Sequence, residues 1–268
     1  MKVFRNIKIK GIKTAVAIGF FDGIHVGHKK VILKAVDSGF LPVVLTFDFS
    51  NCIPNSKQDF KFIYENKDKF SLLEKLKVKL VVVPFFEQIK NLSFVDFFYD
   101  ILIKQLNAKL IVCGENLKFG RDRKGDIEIL RALSNINNID LKVIKLEKID
   151  GIVVSSKRIR KEIENANFLV VEKLLGRKYY INFKIEKIFK IDDIFVVFMH
   201  IKKERAFVRE GKYLADMIVL GIRKEVIVVV EKISGDFFLK INIKRSFKQD
   251  ILGCCARLIF LKKIQSFS

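Results

Sequence analysis

Apolar residues in the first two thirds of the chain follow two alternating spacings. Short unbroken apolar runs, typical of buried strands, are separated by stretches with apolar residues every three or four positions, which indicates amphipathic helices. The predicted strands are AVAIGF from Ala15, LPVVLTFD from Leu41, KLVVVPF from Lys79, AKLIVCG from Ala108 and LKVIKLE from Leu141. The predicted helices are 28–39, 65–77, 93–107 and 125–135. This alternation predicts an α/β fold with a parallel sheet and right-handed crossovers.

Two helix ends carry residues that favour helix boundaries. Gly39 follows the last apolar position of the first predicted helix and is available as its C-terminal cap. Ser93 stands before the third helix with Asp96 three residues later, a pattern typical of an N-cap.

The pattern changes after about Arg177. Residues 181–190, INFKIEKIFK, alternate apolar and polar, and residues 225–245 form two strand-like runs around a tight Ser-Gly-Asp turn. We therefore predict a parallel-sheet domain over 1–178, followed by a small all-β domain over 179–268, a barrel or a sandwich.

Composition excludes several classes of protein. Half of the residues are hydrophobic, which excludes general disorder. No apolar run approaches the roughly 18 residues of a membrane span, and the opening MKVFRNIKIKG lacks the apolar stretch of a signal peptide. The four cysteines share no metal-ligand spacing and fit a reducing compartment: Cys52, Cys113, Cys254 and Cys255. We expect a cytoplasmic protein.

The formal net charge of +21 raises the possibility of a nucleic-acid-binding module. The lysines are spread along the whole chain instead of massed in one tail, so the net charge is weak evidence for nucleic-acid binding. Such a module would bind with an affinity that falls steeply with salt and would be indifferent to the loss of His25 and His28.

Residues 17–30, AIGFFDGIHVGHKK, hold two of the three histidines in the chain. A strand ending at Gly19, a glycine-rich turn and a helix starting near Gly27 would present backbone N–H groups to an anion. His25 and His28 would lie on one side of the first helical turn and could both donate to phosphate oxygens. This favours phosphoryl or nucleotidyl transfer. Surface histidines, or a zinc pair without partners, are the alternatives; His200 is expected to be structural.

The stretch GFFDGIHVGH resembles the signature of the HxGH nucleotidyltransferases. Its FDG is similar to bacterial FAD synthetases, the bifunctional riboflavin kinase/FMN adenylyltransferases. Further segments resemble that family in the expected order: PVVLTFD, VVVPFFEQIKNLSFVDFF, CGENLKFGRDRKGD and GIVVSSKRIRKEIENANFLVVEKLLGRKYYI. The resemblance covers nearly all of residues 15–180 and implies a Rossmann-like nucleotidyltransferase domain followed by a β-barrel.

The resemblance implies that FMN and ATP give FAD and pyrophosphate, with Mg²⁺ required and no covalent intermediate. The FMN phosphate would attack the α-phosphorus of ATP. His25 and His28 would stabilise the charge on the α-phosphate as catalytic residues. The residues implied to hold the nucleotide are Gly19, Phe20, Asp22 and Gly27.

Other site residues are also implied by the resemblance. Ser155 and Ser156 would meet phosphate oxygens, and Arg160 would offset charge on the departing pyrophosphate as the third catalytic residue. The remaining residues implied to bind substrate are Asp48 in the second-strand motif and Asn116 and Phe119 in the flavin loop. The chain departs from the family in TFDFSN, which replaces the usual TFxPHP, in Lys157 at the signature threonine, and in Leu117 at a usual phenylalanine. The metal ligands stay unknown.

The second domain lacks the family's kinase machinery. Residues 181–210 contain no PTAN and no glycine-rich loop, and the expected general-base glutamate is missing. We predict that the barrel remains and that riboflavin kinase activity is lost. A bifunctional enzyme, another HxGH nucleotidyltransferase (for pantetheine phosphate, nicotinate mononucleotide or glycerol phosphate), a class I aminoacyl-tRNA synthetase and an inactive scaffold are the alternatives. The oligomeric state does not follow from the sequence.

Overall fold

The computed structural model describes residues 1–47, 61–191, 194–201, 204–233, 236–244 and 251–265. Within them the chain forms two compact units. The first unit comprises the described residues of 1–60 and 69–154, and the second comprises those of 61–68 and 155–268.

The first unit is built on a six-stranded parallel sheet in the order β1-β4-β3-β2-β5-β6. Its strands are β1 (Lys2–Phe4), β2 (Thr14–Ile18), β3 (Leu41–Leu45), β4 (Leu80–Val82), β5 (Ala108–Gly114) and β6 (Asp140–Ile144). The five predicted strands are confirmed. The sequence analysis missed β1, because three residues at the sheet edge are too few to show a periodicity. A short hairpin of β7 (Lys148–Ile149) and β8 (Ile152–Val153) follows.

Helices connect the parallel strands, as predicted. They are α1 (Val26–Val36), α2 (Asn66–Lys75), α3 (Phe86–Ile89), α4 (Phe94–Asp96) with its π-helical continuation Phe97–Gln105, and α5 (Ile127–Ile136). Ser93 is the N-cap of α4, and its hydroxyl accepts from the Asp96 amide at 3.0 Å, as predicted. The prediction for Gly39 is wrong: α1 ends at Val36 with Asp37 as its cap, and Gly39 lies in the following turn with φ 82°.

The strand order places an opening beside β2. This strand is buried along its whole length and pairs with β3 on one side and β5 on the other. The chain leaves β2 through α1 towards β3, whereas it leaves β5 through α5 towards β6. Connections that depart in opposite directions leave a crevice at the carboxyl ends of two neighbouring strands, which is where open α/β sheets bind ligands.

The second unit combines two helices with a curled, seven-stranded antiparallel sheet in the order β10-β11-β14-β13-β12-β15-β9. The helices are α6 (Ser156–Glu164) and α7 (Phe168–Leu175). The strands are β9 (Tyr180–Lys184), β10 (Ile188–Ile191), β11 (Ile194–Ile201), β12 (Gly211–Val219), β13 (Ile222–Ile233), β14 (Asp236–Lys244) and β15 (Cys255–Gln265). The predicted all-β region and its hairpin are confirmed; the tip of that hairpin lies outside the described residues.

The core of the second unit is aromatic. Phe260 stacks on Phe168 at 5.6 Å between ring centroids, and Tyr213 meets Phe260 edge-on at 5.8 Å. Tyr179 is buried and donates its hydroxyl to the Ala206 carbonyl at 3.0 Å. Helices α6 and α7 belong to the same compact unit as this sheet, so the main part of the second unit begins at residue 155. The predicted functional boundary after residue 178 stays a prediction.

Candidate active site

The turn that follows β2 is strained. Phe21 and Ile24 both have positive φ angles, 52° and 40°, in a region that a β-branched side chain avoids. Hydrogen bonds hold the turn: the Gly19 amide donates to Leu45 at 3.1 Å, and the Thr46 hydroxyl donates to the Phe20 carbonyl at 2.9 Å. Strain of this kind persists where the surroundings enforce it, and it concentrates at functional sites.

The two predicted histidines lie together at the start of α1. His25 is the N-cap, and its Nδ1 accepts from the His28 amide at 3.2 Å. The two imidazole rings stack at 3.5 Å between centroids with 17° between their planes, and Phe21 meets the His28 ring edge-on at 5.3 Å. Because Nδ1 of His25 is an acceptor, a neutral His25 carries its proton on Nε2. The pair therefore holds one imidazole in a defined tautomer.

The second ring of the pair is held uncharged. Burial lowers the pKa of His28 well below its usual value, and the neighbouring His25 and Lys69 lower the pKa further. Its Nδ1 is buried and has no hydrogen-bond partner within the described part of the chain. At neutral pH His28 is therefore a neutral imidazole.

Two glycines of the motif make room for side chains of the turn itself. A Cβ on Gly19 would lie 2.9 Å from the Phe21 ring, and a Cβ on Gly27 would lie 3.3 Å from the His25 ring. The family resemblance implies that Gly27 holds the nucleotide; in the structure a side chain at this position would meet the His25 imidazole. Asp22 is 3% exposed in the same turn, and Phe20 is half-buried.

The predicted flavin loop begins at the end of β5, beside the turn after β2. Asn116 is exposed in it, while Phe119 is buried against Phe97 at 5.5 Å between centroids. A Cβ on Gly125 would lie 2.9 Å from the Phe119 ring. The backbone groups of Phe119 and Gly125 exchange hydrogen bonds at 3.0 and 2.9 Å. Asn116 is thus available to a ligand, whereas the contacts of Phe119 fix the loop.

The serine–arginine part of the predicted site belongs to the second unit. Ser155 is the N-cap of α6, and its hydroxyl accepts from the Arg158 amide at 3.2 Å. Ser156 begins the helix and Arg160 follows one turn later, both half-buried. Asp48 lies outside the described residues. The structure thus brings together the predicted residues of the β2 turn. Separately, the start of α6 presents Ser155, Ser156 and Arg160.

Sequence reasoning missed Lys69. Its side chain is 5% exposed, and its Nζ lies 5.4 Å from the centroid of the Phe20 ring. In the sequence it stands in an amphipathic helix rich in charged residues, so the pattern does not distinguish it from a surface lysine. Only the fold places it beside the β2 turn.

Comparison with solved structures shows the fold. A crystal structure titled as a macrolide-efflux protein from Streptococcus pneumoniae matches 99% of this chain and 91% of its own, with a TM-score of 0.81 and 23% identity. A parallel sheet followed by an antiparallel sheet is therefore an architecture already seen in a solved protein. At this identity the likeness concerns the fold alone.

The family follows from the sequence comparison. The model of the FAD synthetase family matches residues 8–158, over half of the chain, and the chain belongs to that family. The bifunctional riboflavin kinase/FMN adenylyltransferase of Buchnera aphidicola (subsp. Schizaphis graminum) is 30% identical over 69% of this chain and 62% of its own length. The Bacillus subtilis protein of the same name is 32% identical over 65% and 57%. The chain thus matches less than two thirds of the length of these relatives.

Two further findings concern the described residues. No helix there is long and apolar enough to span a membrane. No group of three or more His, Cys, Asp or Glu side chains is placed there to hold a metal ion.

Proposed function

We propose that this chain transfers the adenylyl group of ATP to FMN, giving FAD and pyrophosphate. The observation that carries the proposal is the stacked pair of His25 and His28 at the start of α1. The pair lies at the carboxyl end of β2, inside the segment that matches the FAD synthetase family. A neutral imidazole with a defined N–H direction, held at a helix N-terminus, suits a phosphate group that gains charge during reaction.

In the proposed reaction, an oxygen of the FMN phosphate attacks the α-phosphorus of ATP in line. A new P–O bond forms to FMN, the bond between the α-phosphorus and the bridging oxygen breaks, and its electron pair leaves with pyrophosphate. His25 Nε2–H and the His28 ring donate to the oxygens of the α-phosphate as charge builds on them. Positioning and electrostatic stabilisation supply most of the catalysis in such transfers.

Other predicted residues take supporting roles in the proposal. Ser156 and Arg160, at the start of α6, bind the leaving pyrophosphate together with the hydroxyl of Ser155, which keeps an O–H to donate while it caps the helix. Asn116 contacts the flavin or its phosphate, and Phe119 positions that loop from the core.

Mg²⁺ enters the proposed reaction as part of the substrate. It prefers to keep several waters and to bind phosphate oxygens instead of an all-protein cage. We therefore take the ion to be delivered as MgATP. We place the reaction in the cytoplasm, with small-molecule substrates and without a membrane or nucleic acid as partner.

We further propose that riboflavin kinase activity is lost. A phosphate loop needs an irregular, glycine-rich backbone, and residues 181–210 contain no glycine and no proline. The described parts of this stretch include β10 and β11, two regular strands that pair with each other. Immediately before β12, Arg205 and Phe207 are buried, 6% and 4% exposed. The second candidate is a bifunctional enzyme, which the names of the relatives favour.

One chromatographic assay tests both parts. Purified protein with ATP and Mg²⁺ receives FMN in one sample and riboflavin in another. FAD from FMN, with no product from riboflavin, is the expected result. FMN or FAD from riboflavin would establish the bifunctional candidate. No product in either sample, from protein shown to be folded by circular dichroism, would overturn the flavin assignment.

A further inference from the structure

Lys69 is an unusual residue for its unit. Among the described residues of the first unit it is the one buried lysine or arginine, 5% exposed. Burying an ammonium group is costly, so the groups around a buried lysine must stabilise its charge. The helix that carries it has other lysines, and Lys67 and Lys75 on the same helix are exposed. The position of Lys69 therefore calls for a reason specific to its surroundings.

Lys69 lies beside the turn of the candidate active site. Its Nζ lies 5.4 Å from the centroid of the Phe20 ring, in the turn after β2, and 5.9 Å from that of Phe70. It is also near enough to His28 for its charge to act on that ring. Phe20 and His28 are both half-buried. The ammonium of Lys69 therefore lies next to partly accessible side chains of the turn on which the proposed reaction depends.

The histidines themselves bring no positive charge to the nucleotide. His25 uses Nδ1 as an acceptor and is stacked on His28 at 3.5 Å between centroids. Because Nδ1 of His25 accepts a hydrogen bond, His25 is neutral, and burial keeps His28 neutral by lowering its pKa. The pair therefore works as neutral donors. A triphosphate carries several negative charges, and neutral donors offset them only weakly compared with a cation.

We propose that Lys69 is the fixed cation of the candidate active site and that its ammonium binds the phosphates of ATP held by the turn around Phe20. This inference rests on the proposed function, since it takes the nucleotide to lie on that turn. Lys69 is then a binding residue for the nucleotide, and other residues bind FMN.

The test compares three variants. Lys69→Met removes the charge and keeps an unbranched side chain, Lys69→Arg keeps the charge, and Lys67→Met removes an exposed lysine from the same helix. We expect Lys69→Met to raise the KM for ATP by about 10- to 100-fold, with a much smaller change in kcat and in the KM for FMN. Lys69→Arg should recover most of the affinity, and Lys67→Met should match the wild type.

A binding measurement separates this inference from the proposed function. Calorimetry with MgATP and with inorganic tripolyphosphate requires no turnover. Weaker binding of both probes by Lys69→Met, in protein with wild-type thermal stability, supports the inference even if no FAD forms. Unchanged binding of both, or a rise in the KM for FMN alone, overturns it while leaving adenylyl transfer intact. If Lys69→Met does not fold, Lys69→Gln takes its place in every arm.

Discussion

The turn after β2 in the first unit and the antiparallel sheet of the second unit hold their polar groups in different ways. The turn combines positive φ angles at Phe21 and Ile24 with a histidine whose Nδ1 has no hydrogen-bond partner among the described residues. On the sheet, partly exposed charged side chains pair with one another: Arg223 with Asp216, and Lys240 with Glu231 at 2.9 Å. A fold that holds strain and an unsatisfied group at one turn has a use for that turn.

Paired charges on a regular sheet need no such explanation. Long antiparallel strands satisfy their own backbone groups, and cross-strand ion pairs stabilise the sheet modestly. We therefore assign a structural role to most of the sheet of the second unit. The first unit positions the candidate active site. Four changes test this contrast.

The largest effect is expected for His28→Ala. Loss of one donor to the developing charge should lower kcat for FAD formation by about 10²- to 10³-fold, with the fold retained. His200→Ala is the matched control, since His200 is exposed on β11 and should keep full activity. Equal activity in both variants would remove the catalytic role of the histidine pair.

A buried ion pair in the second unit comes next. Asp68 is 4% exposed, accepts from Asn182 and lies 3.9 Å from Arg205, itself 6% exposed. Asp68→Asn keeps the shape and leaves the buried guanidinium without that countercharge, so the free energy of unfolding should fall by about 3 kcal/mol. Urea denaturation followed by tyrosine fluorescence measures this.

Asp122→Asn is the control for the buried pair. The Asp122–Lys124 pair is exposed, with atoms 3.8 Å apart and side chains 68% and 69% exposed, so its loss should be nearly neutral. Equal, small effects of Asp68→Asn and Asp122→Asn would show that the buried arginine does not depend on Asp68.

The loop that carries Asn116 depends on a glycine that follows it. Gly120 has φ 70°, and a Cβ there would lie 2.7 Å from the backbone nitrogen of Phe94. Gly120→Ala should cost about 2 to 3 kcal/mol, since the backbone conformation and the contact are both unfavourable. Gly39→Ala, also at positive φ but with nothing within 4 Å, should cost only about 1 kcal/mol. Urea midpoints compare the two, and equal costs would mean that Phe94 moves aside.

Periodicity predicted five of the six strands of the parallel sheet and the switch to antiparallel strands, because buried strands and alternating strands differ in their apolar spacing. The histidine pair could be predicted from its glycines and its position after β2. The burial of Lys69 could not be predicted, because a helical pattern does not show which lysine the fold buries. The packing of Phe21 on Gly19, and of the His25 ring on Gly27, was equally hidden, since it depends on the positive φ angles of the turn.

The smallest effect concerns pH. Burial, His25 and Lys69 hold the pKa of His28 below its usual value of about 6.5, so the unfolded chain takes up a proton that the folded chain does not. The contribution of His28 to stability is therefore complete above about pH 6.5 and is lost as the pH falls, at up to about 1.4 kcal/mol per pH unit. His28→Gln should remove this slope from urea midpoints measured between about pH 5 and 7, and His200→Gln should keep it. A slope that survives His28→Gln would show that another group takes up the proton. There would then be no ground for an imidazole held uncharged in the turn, and the contrast between the turn and the antiparallel sheet would fail.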